Sequence, residues 1–286
     1  MVAEIYMKSP SPTPSCDDLI SVIMPAFNAA STIAASIHSA LEQDHNELEI
    51  VVADDGSTDH TAEIVQRIAQ QDSRVRLART SGRQGPAGAR NVAIDAASNG
   101  CWLAFLDSDD LWMPRKLSAQ LRLARETGSP LIYSSYWRVS EDGNYSGHPV
   151  RVPKSICYKQ LLGNSTIATS TVLLDRSVFG AIRLDGSVGY DDFELWTRLL
   201  SGGSIAHGVQ EPLVAYRLRS GSVSRRRVQM SREVWRVLRE YRHLSIGTAA
   251  IKFASYACRA AIKQRIGRPQ FRSSESLPLE IRKLFA

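Results

Sequence analysis

Three carboxylates, Asp107, Asp109 and Asp110, close a short apolar run over residues 102–106. Asp107 and Asp109, spaced by Ser108, would place two hard oxygen donors at one chain reversal. Such donors suit Mg²⁺ or Mn²⁺, above all when a diphosphate completes the coordination shell. The same Asp-Ser-Asp also suits a solvated turn that caps a helix after Pro114, and so short a motif decides nothing alone. A calcium loop is disfavoured, because no glycine and distal Glu follow at EF-hand spacing. A second acidic stretch, Asp54-Asp55-Gly56-Ser57-Thr58-Asp59, also follows an apolar run. A third acidic pair, Asp191-Asp192, opens an amphipathic stretch. There, Asp191 and Glu194 have the spacing of a capping box with Asp191 as N-cap. Arg90 stands just after a glycine-bearing loop, where it can meet ribose or phosphate oxygens or close an internal salt bridge.

The elements that must position these residues alternate. Residues 19–25 read as a buried strand, and a helix follows from about Ser31, with Ile33, Ile37 and Leu41 on one face. Residues 48–53 read as a second strand, 61–71 as a helix, 75–78 as a third strand, and 89–97 as a helix after the loop 82–88. Trp102 to Leu106 is an unbroken apolar run, as expected of a strand buried on both faces. Four strand–helix alternations before Pro114 predict an α/β fold with a mostly parallel sheet, whose ligands bind outside the carboxyl ends of the strands. Further on, residues 115–126 read as a helix, 131–139 as a strand, 141–144 as a hairpin turn, 164–174 as a strand, 189–200 as a helix and 213–217 as a last short strand. No G-x-G-x-x-G or Walker fingerprint is present, which disfavours dinucleotide oxidoreductases and P-loop enzymes.

The net charge of +6 over 286 residues is unevenly spread. Residues 225–286 carry +11 and residues 1–224 carry −5. The basic stretch places Val234, Leu238, Tyr241 and Leu244 on one helical face, and residues 246–262 are mostly apolar but interrupted by Lys252 and Arg259. A basic amphipathic segment too interrupted to span suits the surface of an anionic membrane, or packing on the body with its arginines in water. It carries no nucleic-acid recognition motif, and no nucleic-acid partner is expected. Residues 1–18, rich in Pro and Ser, read as a disordered tail. No basic-then-apolar leader and no uncharged run of ~18 residues is seen, so neither a signal peptide nor a membrane span is expected. Cys16, Cys101, Cys157 and Cys258 have no paired spacing, and neither disulfides nor zinc are expected of them.

Taken in order, the motifs resemble those of the family-2 glycosyltransferases, inverting bacterial enzymes of polysaccharide synthesis. They are Ser21-Val-Ile-Met-Pro25-Ala-Phe27-Asn28, Val52-Ala-Asp54-Asp55-Gly56-Ser57-Thr58-Asp59 and Gly88-Ala-Arg90-Asn91. Phe105-Leu-Asp107-Ser108-Asp109-Asp110 with Trp112-Met-Pro114 follows, then Asp191-Asp192-Phe-Glu-Leu-Trp196-Thr-Arg198 and Tyr216-Arg217. The resemblance covers residues 19–224 and implies a GT-A fold. It divides that stretch into a nucleotide-sugar-binding half, 19–114, and an acceptor half, 115–224, with the basic helical segment 225–286 appended.

The resemblance implies roles. Asp55 would accept a hydrogen bond from the uracil of a UDP-sugar, with Asp54 beside it, and Pro25, Phe27 and Asn28 would wall the base and ribose. Phe27 stands where the family more often has Tyr. Arg90, Asp107 and Ser108 would complete the nucleotide-sugar site. Asp109, with Asp107, would hold Mn²⁺ or Mg²⁺. A base must take the acceptor hydroxyl's proton, and Asp191 and Asp192 are the candidates where the family usually has Glu-Asp; the capping-box reading favours Asp192. The implied partners are a UDP-sugar donor and a saccharide or lipid-linked oligosaccharide acceptor, at a cytoplasmic location with peripheral contact to the inner membrane. Two alternatives remain at this level. A sugar nucleotidyltransferase would need a glycine-rich basic loop after the first strand, which Pro25-Ala-Phe27-Asn28 is not. A non-catalytic nucleotide-sugar-binding protein would bind without turnover.

Overall fold

The computed structural model describes residues 18–98, 100–140, 149–218 and 223–266. For residues 223–228 and 262–266 it describes the backbone alone. In chain order the elements are β1 (Ile20–Ala26), α1 (Ile33–Leu41), β2 (Leu48–Asp54), α2 (Thr61–Gln71), β3 (Val75–Arg79), α3 (Gly85–Ala96), β4 (Trp102–Phe105) and β5 (Leu111–Trp112). Then come α4 (Lys116–Thr127), β6 (Leu131–Ser140), β7 (Ser155–Cys157), α5 (Tyr158–Leu161), β8 (Leu173–Asp175), α6 (Arg176–Phe179), α7 (Asp191–Leu200), β9 (Ile205–Leu218), α8 (Val223–Arg236) and α9 (Ile246–Ile266). A π-helical turn at Val237–Tyr241 joins the last two helices.

One sheet runs in the order β3-β2-β1-β4-β8-β6-β9-β5, with β7 on the start of β9. β1, β2, β3 and β4 are mutually parallel, as the alternation predicts; β8 is antiparallel to both β4 and β6. The sheet is buried on both faces. Ile20, Val22 and Met24 face a core with α1, α2 and α4, while Ile23, Leu103 and Phe105 face one with α3, α7 and the C-terminal helices. Trp196 of α7 meets Phe105 edge-on at 5.7 Å between ring centroids, so the helix carrying Asp191 and Asp192 is pinned to the strand preceding Asp107. A fully buried aromatic pair of this kind adds about 1 kcal/mol to the area it buries.

Several expectations are revised. The segment 164–174 is not one strand: a 3₁₀ turn at Thr169–Thr171 precedes a short β8, because its buried hydroxyls bond side chains of the site instead of a ladder. The last strand is longer than expected, 14 residues, because Pro212 sits at a register shift where the missing N–H costs no ladder bond. Helix α3 starts at Gly85, before the expected position 89: Pro86 fits a first turn, and Asp55 caps it from another element. Cys101 is disulfide-bonded, whereas Cys157 and Cys258 are free. Asp18, read as tail, is held by both Arg125 and His45. The remaining tail and the expected turn at 141–144 lie outside the described residues.

The C-terminal segment packs on the body. Val234, Val237, Leu238 and Ala249 are fully buried against the α7 side of the core, so the expected helical face is occupied by the protein itself. Helix α9 turns Ile246 and Ile251 outward, 66% and 71% exposed. No helix of the described residues is long and apolar enough to cross a membrane.

Candidate active site

A cleft of about 640 Å³ opens at the carboxyl edge of β1, β2 and β4. Strand ends put Pro25, Phe27, Asp55, Asp107, Ser108 and Asp109 on its wall, and α3 adds Arg90. Each parallel strand delivers its terminal residues to that edge, so residues 80 positions apart in sequence share one cavity. Tyr216 and Arg217 of β9 close the far side.

Asp55 is buried, and its carboxylate is already engaged. Oδ1 accepts from Thr80 Oγ1 at 3.0 Å and from the Gln84 amide at 2.7 Å, and Oδ2 accepts from the Gly85 amide at 2.8 Å. Asp55 is thus the remote cap of α3, satisfying amides that begin the helix. Asp54 and Asn28 do not line the cleft. Asp54 Oδ2 accepts from the Ser57 amide, and Asn28 Oδ1 accepts from the Thr58 amide and hydroxyl. Asn28 adopts φ +48°, a turn conformation Asn tolerates better than most residues. Both residues shape the turns beside the cleft, which is how an Asx-rich strand end folds.

Arg90 links the expected metal motif to the expected base. It is only 7% exposed in its side chain; Nη2 donates to Asp107 Oδ1 at 2.6 Å and Nη1 to Asp191 Oδ2 at 3.2 Å. Burial opposes the guanidinium charge, but Asp107 and Asp191 outweigh it and hold its pKa above the ordinary range. Of the two readings of Arg90, the internal ion pair is therefore realised, at the edge of the cleft.

Asp191 is the first residue of α7 and forms no capping box; Tyr190 precedes the helix without a side-chain cap. Glu194, which the box required, is buried instead and paired with Arg198 and Arg242. Asp191 is drawn to Arg90, and Asp192 points to the 3₁₀ turn, where Thr169 Oγ1 donates to its Oδ2 at 2.8 Å. Burial, then the neighbouring Asp191, push the Asp192 carboxyl up to about 6, against the pull of Thr169 and Arg90. Two adjacent carboxylates thereby differ in role: one is committed to a cation, and the other is poised near neutral pH.

The three acids of the central motif also part ways. Asp110 is buried, accepting from Ser170 Oγ at 2.6 Å and from the Arg217 amide at 2.9 Å. Burial and the charges of Asp107 and Asp109 raise its pKa well above the carboxylate range. Ser170 Oγ also accepts from the Asp107 amide, and Arg217 Nε donates to the Asp109 carbonyl. Asp110 therefore braces the turn, leaving Asp107 and Asp109 as the pair on the cleft wall.

Among the described residues no cluster of three His, Cys, Asp or Glu could hold a metal by protein groups alone. Two cleft-facing carboxylates nonetheless fit a small divalent cation, since Mg²⁺ is commonly bound by one or two carboxylates with substrate phosphates and waters completing the octahedron.

Sequence reasoning missed four neighbours. The Arg83 guanidinium stacks on the Phe27 ring at 4.0 Å; Met230 of α8 reaches the cleft; Thr169 and Ser170 hold the two acids. The signal for the last two was present, as a run of hydroxyls (Thr166, Thr169, Ser170, Thr171) in a stretch flanked by apolar residues.

Parallel strands ending in a cleft walled by Asp107, Ser108 and Asp109 define an open α/β architecture with its binding site at the carboxyl edge of the sheet. The fold matches that of TarS from S. aureus. The structure titled as its complex with UDP gives a TM-score of 0.65 at 19% identity, covering 92% of this chain and 76% of TarS. A mannosyltransferase from Pyrobaculum calidifontis, titled as a complex with GDP-Man and Mn²⁺, gives 0.60 at 18% identity, covering 93% and 77%. Residues 21–182 match the profile described as Glycosyl transferase family 2. The chain is 35% identical to TuaG of Bacillus subtilis (strain 168), named for teichuronic acid biosynthesis, across 87% of this chain and 98% of TuaG. It is also 35% identical to WfgD of Escherichia coli, across 79% of this chain and 87% of that protein; WfgD is named UDP-Glc:alpha-D-GlcNAc-diphosphoundecaprenol beta-1,3-glucosyltransferase. This chain belongs to glycosyltransferase family 2, with a GT-A fold, and is a glycosyltransferase. That membership sets aside the nucleotidyltransferase alternative.

Proposed function

We propose that this glycosyltransferase moves a sugar from a UDP-sugar, with inversion, to a hydroxyl of a lipid-linked saccharide during synthesis of a surface polysaccharide. The carrying observation is the shared cleft: Asp55 and Phe27 on one side, Asp107 and Asp109 on the other, Arg90 between them and the base pair. WfgD is named for a UDP-Glc donor and a diphosphoundecaprenol-linked acceptor, and TarS has been crystallised with UDP and with UDP-GlcNAc; both support this donor and acceptor class.

In this reading Phe27 and Pro25 flank the base, and Asp55 accepts the uracil N–H with an oxygen lone pair that Gly85 leaves open. Asp107 and Asp109 would hold a Mg²⁺ or Mn²⁺ ion, which when bound supplies charge neutralisation to the departing diphosphate. Asp192 accepts the proton of the acceptor hydroxyl as that oxygen bonds to the anomeric carbon and the bond to UDP breaks. A pKa of about 6 suits a base that is ionised at neutral pH yet still basic enough to act. Thr169 fixes its rotamer, and Arg90 keeps Asp191 from competing. The acceptor's lipid anchor implies work at the inner face of the membrane, and the cationic C-terminal segment suits peripheral contact there.

The experiment is UDP release from a panel of UDP-sugars and GDP-mannose, with and without EDTA, on wild type and Asp109→Ala, each with and without a polyprenyl-diphosphate saccharide. Release from one UDP-sugar, stimulated by the lipid acceptor and abolished by EDTA and by the variant, is expected. Release that ignores EDTA and the variant would remove the metal pair; release only from GDP-mannose would remove the UDP reading.

A further inference from the structure

A second cavity, of about 400 Å³, lies where α5 and the chain after it meet α9. Its wall carries Lys159 of α5 and Lys252 and Arg259 of α9, and no acidic side chain. Among the described residues none of these three cations forms an ion pair. Lys252 Nζ donates to the Lys159 carbonyl at 2.7 Å, and Arg259 Nε reaches Ser255 Oγ at 3.5 Å. Neither contact cancels charge, so three positive groups converge on one concavity and favour an anion there. The two lysines offer point charges, and Arg259 offers a planar fork suited to phosphate oxygens.

The same wall carries Ile251, 71% exposed. Cations in a hollow whose wall also exposes an isoleucine suit an amphiphile with an anionic head and a hydrocarbon tail.

The chain after α5 connects the cavity wall to the candidate base. Ser255 Oγ donates to the Gly163 carbonyl at 3.3 Å, and any Cβ at position 163 would lie only 3.0 Å from that oxygen. From there the chain passes Asn164 on the cavity wall, Ser165 hydrogen-bonded to the Tyr190 hydroxyl, and Thr169 on Asp192. Five residue steps from Asn164 to Thr169 span at most ~17 Å.

We propose that this cavity binds the diphosphate of the lipid-linked acceptor and so aims the attached saccharide at Asp192. The proposal rests on the acceptor class given above. The tail leaves past Ile251, the diphosphate sits among Lys159, Lys252 and Arg259, and the first sugars follow residues 164–169 to the base.

The test is co-sedimentation of the full-length protein with phosphatidylcholine vesicles doped with polyprenyl diphosphate, or with phosphatidylglycerol at matched charge. The variants are Lys159→Ala/Arg259→Ala, both exposed positions, and Ile251→Asp; thermal unfolding and UDP affinity check that each is folded. Wild type should bind the diphosphate vesicles about tenfold more tightly than the phosphatidylglycerol vesicles. The double variant should lose that preference, and Ile251→Asp should weaken binding to both. Equal binding of the two vesicles by wild type would reduce the site to a general anionic-surface patch and overturn the proposal. A preference that survives in the double variant would move the diphosphate elsewhere and also overturn it. Either failure is separable from failure of the acceptor class, which is read as loss of lipid-stimulated UDP release by wild type.

Discussion

Arg90 Nη1 lies 3.2 Å from Asp191 Oδ2, while its Nη2 holds Asp107 at 2.6 Å, so one guanidinium joins the end of β4 to the start of α7. The cation is nearly buried and its Nε has no partner among the described residues. Removing it leaves two carboxylates facing one another. Arg90→Met should lower stability by about 3–5 kcal/mol, the cost of breaking a buried pair. Arg90→Lys should recover part of the stability and little of the activity, since an ammonium cannot bridge two carboxylates as a fork does. Denaturant unfolding and UDP release on both variants check this; equal activity of Arg90→Lys and wild type would show that geometry is irrelevant here.

Asp192 gives a pH signature. With its carboxyl at about 6, the rate should rise with pH through that value and level off above it, because the protonated form cannot accept a proton. Asp192→Asn should cost about 10²–10⁴ in kcat and abolish the limb. Arg90 favours the Asp192 anion, so Arg90→Lys variants with a displaced cation should shift the limb to higher pH. The same group predicts a stability effect of opposite sign to activity. Its folded pKa exceeds the unfolded value of about 3.9, so the native state holds the proton more tightly and stability declines as pH rises from about 4 to 6. At pH 7 Asp192→Asn should be more stable by about 1–3 kcal/mol, a cost of function visible in thermal unfolding.

Lys116 is a fully buried lysine outside the cleft lining. Its Nζ donates to Gln120 Oε1 at 2.7 Å and lies 3.9 Å from the Trp112 ring centroid, with no ion-pair partner among the described residues. Burial lowers its pKa well below the lysine range. The folded state therefore favours the neutral amine, and stability falls as pH drops from the unfolded pKa of about 10.4 towards the folded one. Wild-type melting temperature should rise between pH 7 and pH 9.5, and Lys116→Met should flatten that rise. An unchanged slope in the variant would show that the amine titrates alike in both states.

The parallel half was readable because each element carries its own signal. Apolar runs at β1, β2 and β4 permit only buried strands, and their acidic ends then fall on one edge by topology. Leu131 onward was harder. Residues 164–174 pass from polar to apolar and read as a strand, yet Thr169 and Ser170 spend their hydroxyls on Asp192 and Asp110, and tertiary bonding overrides local pattern. Glu194 had the spacing of a capping box, but Arg198 and Arg242, the latter 48 residues on, claimed it. Pairings of that range leave no trace in local periodicity. Arg83 on Phe27 was invisible for the same reason, although Arg83 and Phe27 each lie in a stretch whose place was foreseen.

Asp55 separates two roles that the sequence merged. It was expected to meet a nucleobase, and it lines the cleft, but it also receives the Gln84 and Gly85 amides that open α3, the helix bearing Arg90. Asp55→Asn keeps the size and one acceptor oxygen, and sets an amide donor against an N–H that needs an acceptor. The expected result is a loss of about 1 kcal/mol in stability, as for a lost helix cap, together with at least about tenfold weaker UDP binding by calorimetry. A second variant, Thr80→Val, removes one hydrogen bond to the same carboxylate while leaving it in place. It should lower stability slightly and leave UDP binding near wild type. If Asp55→Asn and Thr80→Val weakened UDP equally, Asp55 would act only by holding α3 and its arginine in position. Unequal effects, with Asp55→Asn the larger, would mean that the carboxylate itself meets the nucleotide.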